Sequence, residues 1–143
     1  TFEAASYLKK SGADTIEVKK LFNSDIKDFI TKAEIIQNAK VINNNICLAY
    51  TKTETDNINI VIAQAADELL NIKEVEASFV LARKDDRVFI SARSLGNINV
   101  HVLMENLGGG GHRDMAGAQL DTSLEKAYEM VKDTIQTCIK EEE

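Results

Sequence analysis

Four consecutive glycines followed by an imidazole, Gly108-Gly109-Gly110-Gly111-His112-Arg113, are the residues of this 143-residue chain best placed to do chemistry together. Glycine loses more backbone freedom on folding than any other residue, so a run of four needs a physical reason. An anion supplies one. Without Cβ atoms, successive backbone N–H groups can converge on a phosphate as a nest, and His112 and Arg113 can add charge-assisted hydrogen bonds. An unperturbed imidazole titrates near neutrality and donates to phosphate in either form. The other reading is a flexible turn after a helix, with Gly108 as its C-terminal cap and the rest as slack. On the glycines alone the two stand level. The run is neither a Walker A loop, which ends in Gly-Lys-Ser/Thr, nor the dinucleotide fingerprint.

A second constellation is Ser91-Ala92-Arg93-Ser94, at the end of an expected strand. Ligands of open α/β sheets sit at strand ends, so the Arg93 fork and the Ser94 hydroxyl are expected to meet the same phosphate as the glycine loop. Taken by itself, the segment reads equally as a surface arginine in a turn. Metal chemistry has little to work with. The chain holds two histidines, His101 and His112, and two distant cysteines, Cys47 and Cys138, without zinc-site spacing. No metal ligand is assigned, and both cysteines read as buried, small, apolar side chains in a reducing compartment.

The elements that must position these residues alternate along the chain. Helices are expected over residues 1–10, stopped by Gly12, and over 14–22, opened by a capping box at Asp14 and Glu17. Ser24 can cap a third helix ending near Asn38, whose Ile26, Phe29, Ile30, Ala33 and Ile36 share one face that should pack on a sheet. Two short apolar segments around Asn43-Asn44-Asn45 predict a β-hairpin. A helix capped by Asn57 should bury Ile58, Val61, Ile62, Ala65 and Leu69. Strands follow over 75–83 and 87–93, joined at Lys84-Asp85-Asp86. Asn97 or Asn99 caps a helix carrying Val100, Leu103, Met104 and Leu107 before the glycines. A last strand lies near 117–120, and Thr122 with Glu125 opens a final amphipathic helix. Together these give an α/β fold with a mixed sheet of about five strands flanked by helices.

Composition is that of one ordinary globular domain, with 44% hydrophobic and 28% charged residues. A net charge of −6 argues against electrostatic capture of long duplex nucleic acid, which relies on Lys and Arg neutralising phosphates. A small phosphate ligand held locally is compatible with it. No apolar run approaches the roughly 20 residues of a membrane span. A helix opening at Thr1 leads us to expect sequence upstream.

Gly108-Gly109-Gly110-Gly111-His112 with Ala116-Gly117, preceded by Ile90-Ser91-Ala92-Arg93-Ser94-Leu95-Gly96 and Asn99-Val100, resembles the DHH-associated domain of the DHH phosphoesterases. Within that family it is similar to the GdpP-type cyclic-di-AMP phosphodiesterases of Gram-positive bacteria, to which residues 1–14, 62–67 and 75–80 also correspond. The resemblance implies a division into a helical connection at 1–38 and a substrate-binding domain at 39–143. It further implies an upstream DHH domain of the same chain, holding two manganese ions that activate water for attack on a phosphodiester. No Asp-His-His motif occurs here, so this piece is expected to bind no cofactor and to be inactive alone. Carried over as substrate-binding positions are Arg93, Ser94, Gly109, Gly110, Gly111 and His112, with no catalytic residue and no metal ligand. Asp114 would repel a phosphate unless it points away, which sets Arg113 apart from His112 as a contact. The expected ligand is a small nucleotide, with hydrolysis of cyclic-di-AMP to its linear form by the parent. An oligoribonuclease, a nucleotide-bisphosphate phosphatase or a non-catalytic nucleic-acid-binding module are the rivals. The parent is expected to be membrane-anchored with this domain on the cytoplasmic side, and a homodimer is allowed.

Overall fold

The computed structural model describes residues 26–142. In chain order the elements are α1 (Ile26–Gln37), β1 (Lys40–Ile42), β2 (Ile46–Thr51), α2 (Ile58–Leu69), β3 (Ala77–Lys84), β4 (Arg87–Ser94), α3 (Val100–Glu105), β5 (Gly110–Gly111), β6 (Met115–Leu120) and α4 (Leu124–Glu142). The helices expected over 1–10 and 14–22, and the Ser24 cap, lie outside the described residues. The strands form one mixed sheet in the order β1-β2-β3-β4-β6-β5. Only β2 and β3 run parallel, joined through α2; the other pairs are antiparallel. The expected α/β class and mixed sheet hold, with six strands in place of about five. The extra strand is β5, made from the glycine run.

Two hairpins follow from left-handed residues at their turns. Asn43 and Asn44 have φ of 53° and 71° between β1 and β2, and Asp85 and Asp86 have 53° and 64° between β3 and β4. Asn and Asp tolerate this region, and two such residues make the turn whose twist matches paired strands.

Alternation along the strands splits the core between two faces. Ile46, Leu48, Phe79, Leu81, Val88, Ile90, Ala116 and Ala118 pack under α3 and α4 through Val100, Leu103, Leu124 and Val131. Cys47, Ala49, Val80 and Ala82 pack on the opposite face under α1 and α2 through Ile35, Ile58, Val61, Ile62 and Leu69. Central β3 is therefore buried on both sides, whereas β4 alternates buried Val88, Ile90 and Ala92 with half-buried Phe89, Ser91 and Arg93. On this second face α2 reaches as far as β4, through Asp67 beside Arg93 and the cluster against which Phe89 packs, and the face of β6 and β5 beyond it is the opening that positions the site.

Three local expectations change. On α1 the buried positions are Asp28, Thr31 and Ile35, while Ile26, Phe29 and Ile30 are exposed. Spacing of three and four defines a stripe, but Asp28 accepting from Asn57 Nδ2 at 3.1 Å and Lys32 pairing with Glu68 at 3.1 Å turn the adjacent stripe inward. Asn57 precedes α2 without a side-chain cap bond, and its Nδ2 donates instead to Asp28. Ahead of α4 the capping oxygen is that of Ser123, accepting from Lys126 N at 3.2 Å, and not that of Thr122. Asn99, by contrast, caps α3 through His101 N and Val102 N.

Candidate functional site

Gly108 and Gly109 terminate α3: their N–H groups donate to Glu105 O at 3.0 Å and Met104 O at 2.8 Å, and Gly108 has φ +85°. Gly108 thus caps the helix, as one sequence reading has it, but the glycines after it are not slack. Gly110 and Gly111 pair with Gly117 and Ala116 of β6, and His112 N donates to Met115 O at 2.6 Å. With Gly108, Gly109 and His112 N–H groups all held by main-chain acceptors, they do not converge as a nest. Antiparallel alternation turns the Gly111 N–H outward at the sheet edge. Packing is what demands glycine. A Cβ on Gly109 would collide with Gly117 O and Ala118, and one on Gly111 with Ala116 Cα and Met115 O, both at 2.5 Å. The run presents bare peptide surface.

Beside it, register builds a row. Arg93 of β4 lies opposite Met115 of β6, and Met115 exchanges both main-chain hydrogen bonds with His112. Directly opposed residues share a face, so Arg93 of β4, Met115 of β6 and His112, which follows β5, stand in line, about 10 Å from first to last. Arg93 is only 12% exposed, with Nε donating to Asp67 Oδ1 of α2 at 3.0 Å and Nη1 to Ala92 O at 2.9 Å. Its second amino group, Nη2, makes no hydrogen bond to the described residues. His112 is exposed, and its imidazole has no hydrogen bond or ion pair among the described residues.

Ser94 follows Arg93 in the strand and so faces the other side of the sheet. It is 6% exposed, and its Oγ accepts from Gly96 N at 3.0 Å. The structure therefore does not bring Arg93 and Ser94 to one phosphate; Ser94 shapes the loop after β4. That loop is tied to the turn after β5 three times: Ser94 N donates to Asp114 O at 2.9 Å, Val100 N to Arg113 O at 3.0 Å, and Arg113 Nε to Gly96 O at 2.8 Å. Arg113 braces the turn that carries His112.

Toward the other end of the same face is a cleft of about 500 Å³, lined among others by Asn59 and Ile62 of α2, Phe89 and Ser91 of β4, and Gly109 and Gln119. Gly117 and Gly109 leave its floor without side chains. Sequence reasoning missed Asn59, Asp67 and Gln119. No local signal marks them, since Asp67 reaches Arg93 across 26 residues of chain. Among the described residues no group of three or more His, Cys, Asp or Glu side chains converges to hold a metal, so no metal-dependent step is derived for this chain. No helix among them is long and apolar enough to cross a membrane.

The fold and site define an α/β domain with an open sheet face, on which a buried-stem arginine, an exposed imidazole and a glycine-floored cleft are set side by side. The chain belongs to the DHHA1 domain family, whose model matches residues 43–141. It is 45% identical over 139 residues to the cyclic-di-AMP phosphodiesterase GdpP of Bacillus subtilis, covering 94% of this chain and 21% of that protein. To the cyclic-di-AMP phosphodiesterase PdeA of Listeria monocytogenes it is 41% identical over 129 residues, covering 89% and 20%. The chain thus spans about a fifth of the length of the curated relatives it matches. Among solved structures, an exopolyphosphatase-related protein from Bacteroides fragilis shares the fold, with a TM-score of 0.72 at 21% identity over 95% of this chain and 42% of that one. The family resemblance read from the sequence is borne out.

Proposed function

We propose that this chain is the substrate-binding domain of a cyclic-di-AMP phosphodiesterase, acting with an upstream DHH domain that holds the manganese ions and hydrolyses the cyclic dinucleotide to its linear form. The observation that carries this reading is the Arg93–Met115–His112 row bordering the glycine-floored cleft. Relatives at 41–45% identity that are cyclic-di-AMP phosphodiesterases support it.

In this reading the free amino group of Arg93 and the imidazole of His112 donate to substrate phosphate oxygens. The bare peptides of Gly109 to Gly111 let the sugar-phosphate backbone approach the sheet closely. Ser94 and Arg113 act on the loops rather than on the ligand. The parent is anchored in the membrane with this domain on the cytoplasmic side.

The test is hydrolysis by the full-length protein. Arg93→Ala and His112→Ala are each expected to lower kcat/KM on cyclic-di-AMP by about tenfold or more, the worth of one hydrogen bond to a charged group. Preference for short linear RNA over cyclic-di-AMP, or unchanged kcat/KM in both variants, overturns the proposal.

A further inference from the structure

We propose that the cleft between α2 and the β4–β6 strands is a nucleobase subsite that selects adenine, with Asn59 as the residue that reads the base, Gln119 as a second donor and Phe89 as the wall on which the base packs. The inference rests on the reading that this domain binds a cyclic dinucleotide, and names what that reading leaves open, the origin of base preference.

Position comes first. On the open face, cross-strand register sets Ser91 opposite Gly117 and Gly117 opposite Gly110, one strand repeat from the Arg93–Met115–His112 row. The next repeat sets Phe89 opposite Gln119. Each repeat of two residues is about 7 Å, so a phosphate on Arg93 and His112 places its nucleoside over the row without large side chains and its base toward Phe89. A volume of about 500 Å³ accommodates a purine nucleoside. Gly117 and Gly109 leave a flat peptide floor, and half-buried Phe89 supplies an aromatic surface beside it.

Chemistry then selects the base. Asn59 and Gln119 bring carboxamides to the cleft, and no Lys or Arg lines it. The exposed Asn59 amide has no hydrogen bond to the described residues, so its donor and acceptor are both available. That pair complements adenine, which offers the N6 donor beside the N7 acceptor. Guanine offers two acceptors on the same edge, O6 and N7, and is matched by the two donors of an arginine. The nearby Arg87 is outside the cleft lining and is engaged with Gln119 Oε1 through Nη1 at 3.4 Å and with Asp121 through Nε at 3.2 Å. With Oε1 so engaged, the Gln119 amino group is the part of this cleft-lining amide left to donate to a ring nitrogen.

The experiment measures kcat and KM of the full-length protein on cyclic-di-AMP and cyclic-di-GMP for the wild type and for Asn59→Leu, Gln119→Leu and Phe89→Leu. Asn59 and Gln119 are exposed at the cleft rim, so their replacement leaves the core intact. For Asn59→Leu, KM on cyclic-di-AMP should rise at least about tenfold with kcat within about twofold, while cyclic-di-GMP turnover is unchanged, collapsing the adenine preference. Gln119→Leu should do the same to a lesser degree, and Phe89→Leu should raise KM for both substrates. An adenine preference unchanged in Asn59→Leu overturns the subsite while leaving the proposed function standing. A wild type that hydrolyses neither cyclic dinucleotide overturns the proposed function and the subsite with it.

Discussion

Arg93 and Asp67 meet across the sheet–helix boundary, Nε to Oδ1 at 3.0 Å, so that the guanidinium is held over the open face by a carboxylate at the far end of α2 from Asn59. Asp67 is itself 60% exposed and does not line the cleft. It is a positioning residue: an exposed carboxylate that fixes a largely buried guanidinium, with its own chain open to solvent.

Removing Asp67 should therefore act on binding more than on folding. Asp67→Ala in the full-length protein is expected to raise KM on cyclic-di-AMP by about two- to tenfold, the cost of immobilising one freed side chain on binding, with kcat within about twofold. Asp67→Glu should recover part of the loss, and the stability lost in Asp67→Ala should stay at or below about 2 kcal/mol by denaturant titration, the worth of one hydrogen bond to a charged group. A fall in kcat with KM unchanged would contradict the positioning role.

The glycine run offers a comparison within five residues. Gly109→Ala and Gly111→Ala drive a Cβ into the β6 backbone, and Gly111 also has φ +145°, so each should cost about 2 kcal/mol or more and lower Tm by roughly 4–8 °C. Gly110→Ala meets nothing within 4 Å and has no left-handed φ, so its Tm should stay within about 2–4 °C of wild type. Equal losses at the three positions would mean that glycine is required by the ligand or by flexibility and not by packing.

The purified 143-residue chain should not hydrolyse cyclic-di-AMP with added manganese, since no metal-binding cluster forms among the described residues. Linear product above background by chromatography would refute this.

Burial pushes the Cys47 thiol up from its ordinary range, so less of it is thiolate near pH 8. Half-buried Cys138 should therefore be alkylated first in the native chain, and Cys47 only on unfolding. Mass spectrometry after iodoacetamide treatment, with and without urea, reads the order; native modification of Cys47 ahead of Cys138 would count against this packing.

Much of the architecture was legible because it depends on local periodicity. The alternation in β4, the buried positions of α2 and the asparagine turn of the first hairpin are each set by neighbours within a few residues. The stripe on α1 was misassigned because periodicity identifies apolar spacing, whereas the inward face depends on Asn57 and Glu68 of another element. For the site, the residues Gly108 to His112 and Arg93 stood out by type alone.

What the sequence by itself determined was thus the inventory: strands and helices in order, a glycine–imidazole loop near an arginine, and membership of the DHHA1 family. Only tertiary structure decided how that inventory is arranged. It made the glycines an edge strand instead of an anion nest and put Arg93 and Ser94 on opposite faces. It also brought Asp67 to Arg93, and Asn59 and Gln119 to one cleft. The reason is physical: side-chain direction alternates with every strand residue, and which residues then meet is fixed by long-range register and helix docking, to which no local pattern is sensitive.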